Sequence, residues 1–432
     1  MNWRWGRVFL IVAALVGSFS GIRAEESIDL RLAKQYFEEA ENLWKQDGGR
    51  VWGRPLNGPL LFVDRKARRM VANQADAEGR LRKEGSLFVG ELPATLTVAN
   101  TTIRWAGVRW IMVLWPLPKD TQDRRVLLMH ESWHRIQDQL GFPPAGPINA
   151  HLDTLNGRYW LQLEWRALGK ALAERGENRR AAVEDALLFR AYRHKLCKDA
   201  AKEERLLEMH EGLAEYTGVK LSGMSDTDQA AYVVKKLEER PQTMPTFVRS
   251  FAYLSGPAYG VLLDSQAADW RKTLKADADL AKTLAVRLPA LEAKVLQDRA
   301  KRYEGEKLLA AEKERDRERQ KLIAEYRARF VDGPVLVLPL QKLQVSFDPR
   351  SIQPLEGVGM VYPSLRIVDE WGTLTASKGA VITADFKKVY VTAPKEPKAR
   401  PLRGEGWEIQ LTPGWQVEPG ERKGDFRARM GK

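Results

Sequence analysis

Positions 121–140 read TQDRRVLLMHESWHRIQDQL, and this stretch decides how the rest of the chain is read. Val126, Leu127, Met129, Trp133, Ile136 and Leu140 recur at helical spacing, Asp120 or Thr121 serves as the cap, and Gly141 with Pro143 and Pro144 ends the run. The spacing predicts a helix over 121–140. Inside it, His130-Glu131-Ser132-Trp133-His134 has the form H-E-x-x-H. Residues i and i+4 share a helix face, so both imidazoles can reach one ion while Glu131 stands beside its open position. That set of groups points to Zn2+ as cofactor, with Glu131 as general base towards a water molecule. The motif supplies two of the three protein ligands such a site needs.

Working outward, the chain of 432 residues is long enough for two or three domains, and 44% hydrophobic residues is ordinary for a globular protein. Arg4 and Arg7, the apolar run 8–17 and Ile22-Arg23-Ala24 read as a signal peptide over 1–24, so the chain is expected to be exported, periplasmic or secreted. A single cysteine, Cys197, forms no internal disulfide and suits that setting; it is expected to be buried or inert. The formal charge of +13 falls to about +10 without the three signal arginines and favours association with an anionic envelope surface. Basic residues interleave with acidic ones instead of gathering into patches, so no nucleic-acid partner is expected.

The fold class read from these patterns is α+β. A β-rich N-terminal lobe covers 25–120, with a helix over 32–44 and strands over 60–63, 86–89, 95–98 and 110–117. The last of these, ending among Pro116 and Pro118, reads as an edge strand, either ordinary or free to pair with an extended peptide. A helical lobe follows over 121–288, with further helices over 154–174, 178–197, 200–216 and 226–239, all dominated by strong helix formers. Residues 289–330 form a long charged helix, since nine of the ten positions 312–321 carry a charge. Alternating patterns around Leu343, Val345 and Phe347 and over 381–391, with turns at Pro-Arg, Glu-Gly and Lys-Gly, give a small β domain over 331–432. Trp105, Trp110, Trp115, Trp133, Trp160 and Trp165 crowd around the motif, as core or as cleft lining.

Several residues compete for the third ligand position. Glu164 sits in an otherwise apolar helix among Trp160, Leu161, Leu163 and Trp165, where a carboxylate needs a metal or a partner such as Arg158 or Arg166. Glu211, Asp153 and His151 are the others. Glu215, one turn beyond Glu211, is either a surface residue or an acceptor that orients a ligand histidine.

The segment Glu211-Gly212-Leu213-Ala214 resembles the second zinc helix of gluzincin metallopeptidases, the thermolysin-like and aminopeptidase N-like superfamily, whose pattern is N-E-G-F-A; His210 replaces the asparagine. The resemblance implies that Glu211 is the third ligand beside His130 and His134. Tyr253-Leu254-Ser255-Gly256-Pro257-Ala258 is similar to the Y-x-K-G-A segment of the same enzymes, which implies that Tyr253 steadies the oxyanion; Tyr259 and His151 are substitutes. No counterpart of the G-x-M-E-N segment precedes the motif, since Ala106-Gly107-Val108-Arg109-Trp110 carries no acid. The likeness covers short motifs between 121 and 264. It implies a zinc metallopeptidase acting on a peptide or protein substrate; the alternatives are an inactive peptidase-like binding or assembly module of the cell envelope, and a zinc hydrolase of envelope amides.

Overall fold

The computed structural model describes residues 28–266, 269–284, 288–289, 291–348 and 351–431. The signal-peptide reading of 1–24 and the Pro-Arg turn lie outside them. The architecture is mixed α and β, with helices in the middle of the chain and strands towards both ends. Internal contacts divide the described residues into two units, one of 28–93 with 100–313, the other of 94–99 with 314–431.

The first unit opens with α1 (Leu30–Asp47), whose N-terminus is capped by the Asp29 carboxylate accepting from the Arg31 and Leu32 amides and whose end is turned by Gly48 at φ 54°. Six strands follow: β1 (Leu60–Asp64), β2 (Arg69–Ala72), β3 (Arg82–Glu84), β4 (Leu87–Glu91), β5 (Thr101–Trp105) and β6 (Val108–Trp115). Their order in the sheet is β3-β4-β2-β1-β6-β5. β6 therefore lies inside the sheet, parallel to β1 and antiparallel to β5, which corrects the expected edge strand over 110–117. Its apolar run is unbroken because both faces are covered; an exposed edge would alternate. The end strand on that side is β5, and β3 ends the other side. The expected strand over 95–98 is irregular chain.

The helices are α2 (Thr121–Ile136), α3 (Leu155–Ala173), α4 (Gly176–Leu196), α5 (Ala200–Leu207), α6 (Leu213–Leu221), α7 (Asp226–Thr243), α8 (Ala252–Gln266), the single turns α9 (Trp270–Thr273) and α10 (Leu280–Thr283), α11 (Ala293–Lys301) and α12 (Gly305–Arg327). The expected helix over 121–140 is α2 continued by a tighter 3-10 turn, Gln137–Leu140, closed by Gly141 at φ 82°. The expected helix over 200–216 is interrupted between α5 and α6 by a π-helical turn, Glu208–Gly212. The long charged helix over 289–330 is two helices, broken at Glu304, whose φ is 52°. Its charge is not all solvated: Glu312 is buried and accepts from Arg158 Nε at 2.9 Å and Gln162 Nε2 at 2.6 Å.

Sheet and helices share one core. Leu60, Phe62, Ile111 and Val113 join α1 and the buried faces of α2, α3, α4, α6 and α8 in one apolar cluster, with Phe37 stacked on Phe62 at 4.3 Å between centroids. The clustered tryptophans are mostly core: Trp110, Trp115, Trp133, Trp160 and Trp165 are buried, and Trp105 is half-buried. Two glycines set helix spacing. A Cβ at Gly218 would meet the Val126 carbonyl oxygen at 2.5 Å, and one at Gly256 would meet Gly212 Cα at 2.3 Å. α6 is thus pressed backbone to backbone against α2, and α8 against the turn that precedes α6. Both motif glycines, Gly212 and Gly256, are two halves of one contact.

The second unit contains, among the described residues, twelve strands between residues 335 and 430, in sheets of seven and five. Tyr326 and Phe330 pack on Leu355, Val361 and Val381 of that unit. Among the described residues no helix is long and apolar enough to cross a membrane.

Gly256→Ala is expected to lower stability by roughly 1–3 kcal/mol through overpacking against Gly212. Chemical denaturation checks this; an unchanged midpoint would mean that the helices separate freely.

Candidate metal centre

α2 is the platform of the site. The Asp120 carboxylate caps it by accepting from the Asp123 amide at 2.9 Å. The two residues between the motif's ends fasten it: Trp44 Nε1 donates to Ser132 Oγ at 3.0 Å, and Trp133 packs edge-on against Trp52. That leaves His130 and His134 facing α6, with Nε2 atoms 3.1 Å apart.

Glu211 comes to them on the π-helical turn, in which the Leu213 amide donates to the Glu208 carbonyl. A π turn holds an extra residue, so successive side chains advance by a smaller angle than in an α-helix. Glu208 and Glu211 therefore diverge, although at α-helical spacing they would share a face. Glu208 turns to Arg190, which it accepts bidentately at 2.8 and 2.6 Å. Glu211 turns to the histidines, its Oε2 3.6 Å from each Nε2.

His130, His134 and Glu211 could hold a metal ion, and they are the one such cluster of three among the described residues. Four-coordinate bonds of about 2.0–2.1 Å place ligand atoms roughly 3.3 Å apart, which the triangle of 3.1, 3.6 and 3.6 Å matches. Each outer ring nitrogen has an acceptor: His130 Nδ1 lies 2.8 Å from Glu215 Oε2 and His134 Nδ1 2.8 Å from Gln137 Oε1. Protons on Nδ1 leave both Nε2 lone pairs facing the centre of the triangle. Glu215 is thus the acceptor that orients a histidine.

Charge in the site runs the same way. Burial opposes a proton on His130, yet the hydrogen-bonded carboxylates of Glu211 and Glu215 outweigh it and push the pKa up to about 10. The pocket therefore favours positive charge at that position. Glu131 is buried, its Oε2 has no hydrogen-bond partner, and burial raises its pKa against the pull of the two histidines. Such an orphaned, proton-hungry oxygen beside the triangle suits a base awaiting a donor.

Tyr253, on α8, donates to Glu211 Oε2 at 2.7 Å and lies parallel to the His130 ring with centroids 5.4 Å apart. Burial and the Glu211 charge push its pKa well up, so the phenol stays a neutral donor. Arg249 is buried with Nη2 3.6 Å from Glu211 Oε1 and its Nε without a hydrogen-bond partner. His134, His210 and Tyr253 are half-buried whereas His130, Glu131 and Glu211 are buried, so the cluster opens on the side of the former.

The rival ligands are occupied elsewhere. Glu164 accepts from Tyr259 Oη at 2.6 Å and from Arg190 at 3.4 Å. Arg193 Nη1 lies 2.6 Å from Glu164 Oε2 but off the hydrogen-bonding direction, so that pair is a charge contact. Its partners are arginines of α4, not Arg158 or Arg166. Asp153 accepts from the Thr246 hydroxyl and from the Phe247 amide, fastening the segment that leads to Arg249 and Tyr253. His151 pairs with Glu204 at 2.7 Å. Cys197 is half-buried, and burial pushes its thiol pKa up, which disfavours the thiolate.

Sequence reasoning overlooked Gln137, Arg190, Glu208 and Arg249. Gln137 had a signal, standing three residues after His134 on one helix face. The other three had none, because their partners are distant in sequence. Comparison with protein-family models, with curated proteins and with solved structures gives no match.

Glu211→Ala is expected to abolish metal uptake, measured by elemental analysis. Glu164→Ala should instead keep metal stoichiometry in the folded fraction and cost about 3–5 kcal/mol, because the buried Arg193–Glu164 pair is broken, Arg193 keeps only Glu204, and the Tyr259 hydroxyl loses its acceptor. Loss of metal in Glu164→Ala alone would reverse the ligand assignment.

Proposed function

We propose that the chain is an exported zinc metallopeptidase. The observation that carries the reading is the triangle of His130 Nε2, His134 Nε2 and Glu211 Oε2 with the unpartnered Glu131 carboxylate beside it and the Tyr253 hydroxyl on Glu211. Two imidazoles and a carboxylate at tetrahedral spacing are a donor set that suits zinc. When bound, the ion supplies Lewis acidity, lowering the pKa of a water and polarising a carbonyl.

The chain's own groups do the rest. Glu131 takes a proton from the attacking water as its oxygen bonds to the carbonyl carbon of the peptide. The C–N bond breaks, and Glu131 returns that proton to the departing nitrogen, so the products are a carboxylic acid and an amine, and the remaining water proton passes from acid to amine to leave carboxylate and ammonium. Burial of Glu131 keeps its proton affinity high enough for both transfers. Tyr253 begins with its proton on Glu211 and can redirect it to the oxygen of the tetrahedral centre, where a neutral donor is worth a few kcal/mol. Glu215 and Gln137 hold the imidazole planes, so the ligand geometry survives turnover.

The arginine-flanked apolar segment before Ala24 supports export, and the basic charge supports residence at an anionic envelope surface. β5, the end strand on the β6 side of the sheet, is the strand to which an extended substrate would add; the chain has no acid in the segment 106–110 to take the amino end of a substrate, which favours internal peptide bonds.

The test measures zinc content and cleavage of an unstructured protein such as casein. Glu131→Gln should retain zinc and lose about 10²–10⁴-fold in kcat, and Tyr253→Phe should retain zinc and lose about 10–10³-fold. Undiminished cleavage by Glu131→Gln would sink the mechanism. Stoichiometric zinc in a wild-type protein that cleaves nothing would favour a binding module.

A further inference from the structure

A hydrogen-bonded chain runs outward from His134, away from the centre of the triangle. His134 Nδ1 lies 2.8 Å from Gln137 Oε1, and Gln137 Nε2 lies 2.7 Å from His210 Nδ1. One assignment of protons satisfies all of it. His134 must carry its proton on Nδ1 for Nε2 to act as a ligand, so that proton goes to Gln137 Oε1. The amide then presents its N–H to His210, which must offer a lone pair at Nδ1. His210 consequently carries its proton on Nε2, which stands 3.4 Å from Glu211 Oε1 in a charge contact.

The Gln137 oxygen also lies 3.1 Å from His210 Nδ1. The shorter contact to the amide nitrogen decides between the two, because it leaves the oxygen to its nearer donor on His134. The His134 and His210 rings lie close but tilted, with centroids 4.9 Å apart and planes at 50°.

We propose that Gln137 and His210 are positioning residues, joined in one hydrogen-bonded chain that fixes the metal ligand His134. This rests on reading His130, His134 and Glu211 as a metal site. Neither residue touches substrate or the ion. Their effect is on the aim of the ligand: Gln137 fixes the tautomer and plane of His134, and His210 fixes the Gln137 amide. Partners of this kind are worth roughly 10–100-fold in metal affinity. A chain in series differs from two separate props, because breaking it at either point loses the whole effect.

The experiment is a double-mutant cycle on the full chain, reading zinc affinity by chelator competition and the visible spectrum of the cobalt-loaded protein. Gln137→Met and His210→Leu should each weaken zinc binding by about 10–100-fold, and the double variant should be no weaker than the worse single one. His210→Asn, whose side-chain oxygen can take the place of Nδ1 as acceptor, should bind within a few-fold of wild type and keep its cobalt spectrum. That comparison holds even if the Gln137 variant fails to fold. Losses that multiply in the double variant, unchanged affinity in the single variants, or His210→Asn as weak as His210→Leu would each overturn the chain. A wild-type protein that takes up no metal overturns both the chain and the metallopeptidase reading. A protein that shows the coupling but cleaves no peptide keeps the chain and loses only the peptidase.

Discussion

Three carboxylates, Glu131, Glu211 and Glu215, are buried around two imidazoles, and most of the local structure follows from the need to compensate that charge. Carboxylates taken from water cost several kcal/mol each unless a counter-charge meets them. Here Glu215 spends its charge on His130 Nδ1, Glu211 draws the inner nitrogens and the Arg249 guanidinium, and Glu131 is left with an oxygen that nothing in the fold satisfies. The pressure on His130 to hold a proton, with its pKa pushed up to about 10, expresses the same surplus of negative charge. A divalent cation at the centre of the triangle would remove it.

Such a site exists only if the helices carrying it approach closely, and that approach has a steric basis. Gly218 against the Val126 carbonyl and Gly256 against Gly212 leave no room for side chains between the backbones. The cost of bringing α6 so near is borne by the apolar cluster shared with the sheet and by a second buried network behind the site. In that network Arg190 and Arg193 of α4 meet Glu164, Glu204 and Glu208 from α3, α5 and the π-helical turn. Arg190 holds Glu208 with both nitrogens, which anchors the turn that aims Glu211. Two charge clusters thus stand back to back on one segment, one satisfied within the protein and one open to an ion.

Legibility in the sequence followed the range of the interaction. His130 and His134 are one helical turn apart, so periodicity alone put them on one face. The cap at Asp120, the stop at Gly141 and the glycine-bearing segments at Glu211 and Tyr253 are likewise local patterns. Whether Glu164 served a metal or an arginine turned on Arg190 and Arg193 of α4, which lie more than twenty residues on, and single-sequence reading offered two wrong arginines for the role. The 110–117 strand was placed at an edge by its flanking prolines, although its unbroken apolar run is what a strand covered on both faces needs. The π-helical turn left no distinct mark in composition, because Glu208, Met209 and Glu211 are ordinary helix formers and Gly212 reads equally as a close helix contact.

What the sequence by itself determined is the inventory of groups and their local register: two imidazoles and a carboxylate on one helix, another carboxylate and a tyrosine in recognisable segments, and helices in the middle of the chain with strands towards both ends. What only the tertiary structure decided is which carboxylate completes the triangle, which residues hold the outer nitrogens, and which charges cancel one another in the interior. Helix-face spacing is fixed by backbone geometry over a few residues. The convergence of α2, the π-helical turn and α8 depends on packing between segments some eighty to one hundred and twenty positions apart, and that lies in the shape of the whole core.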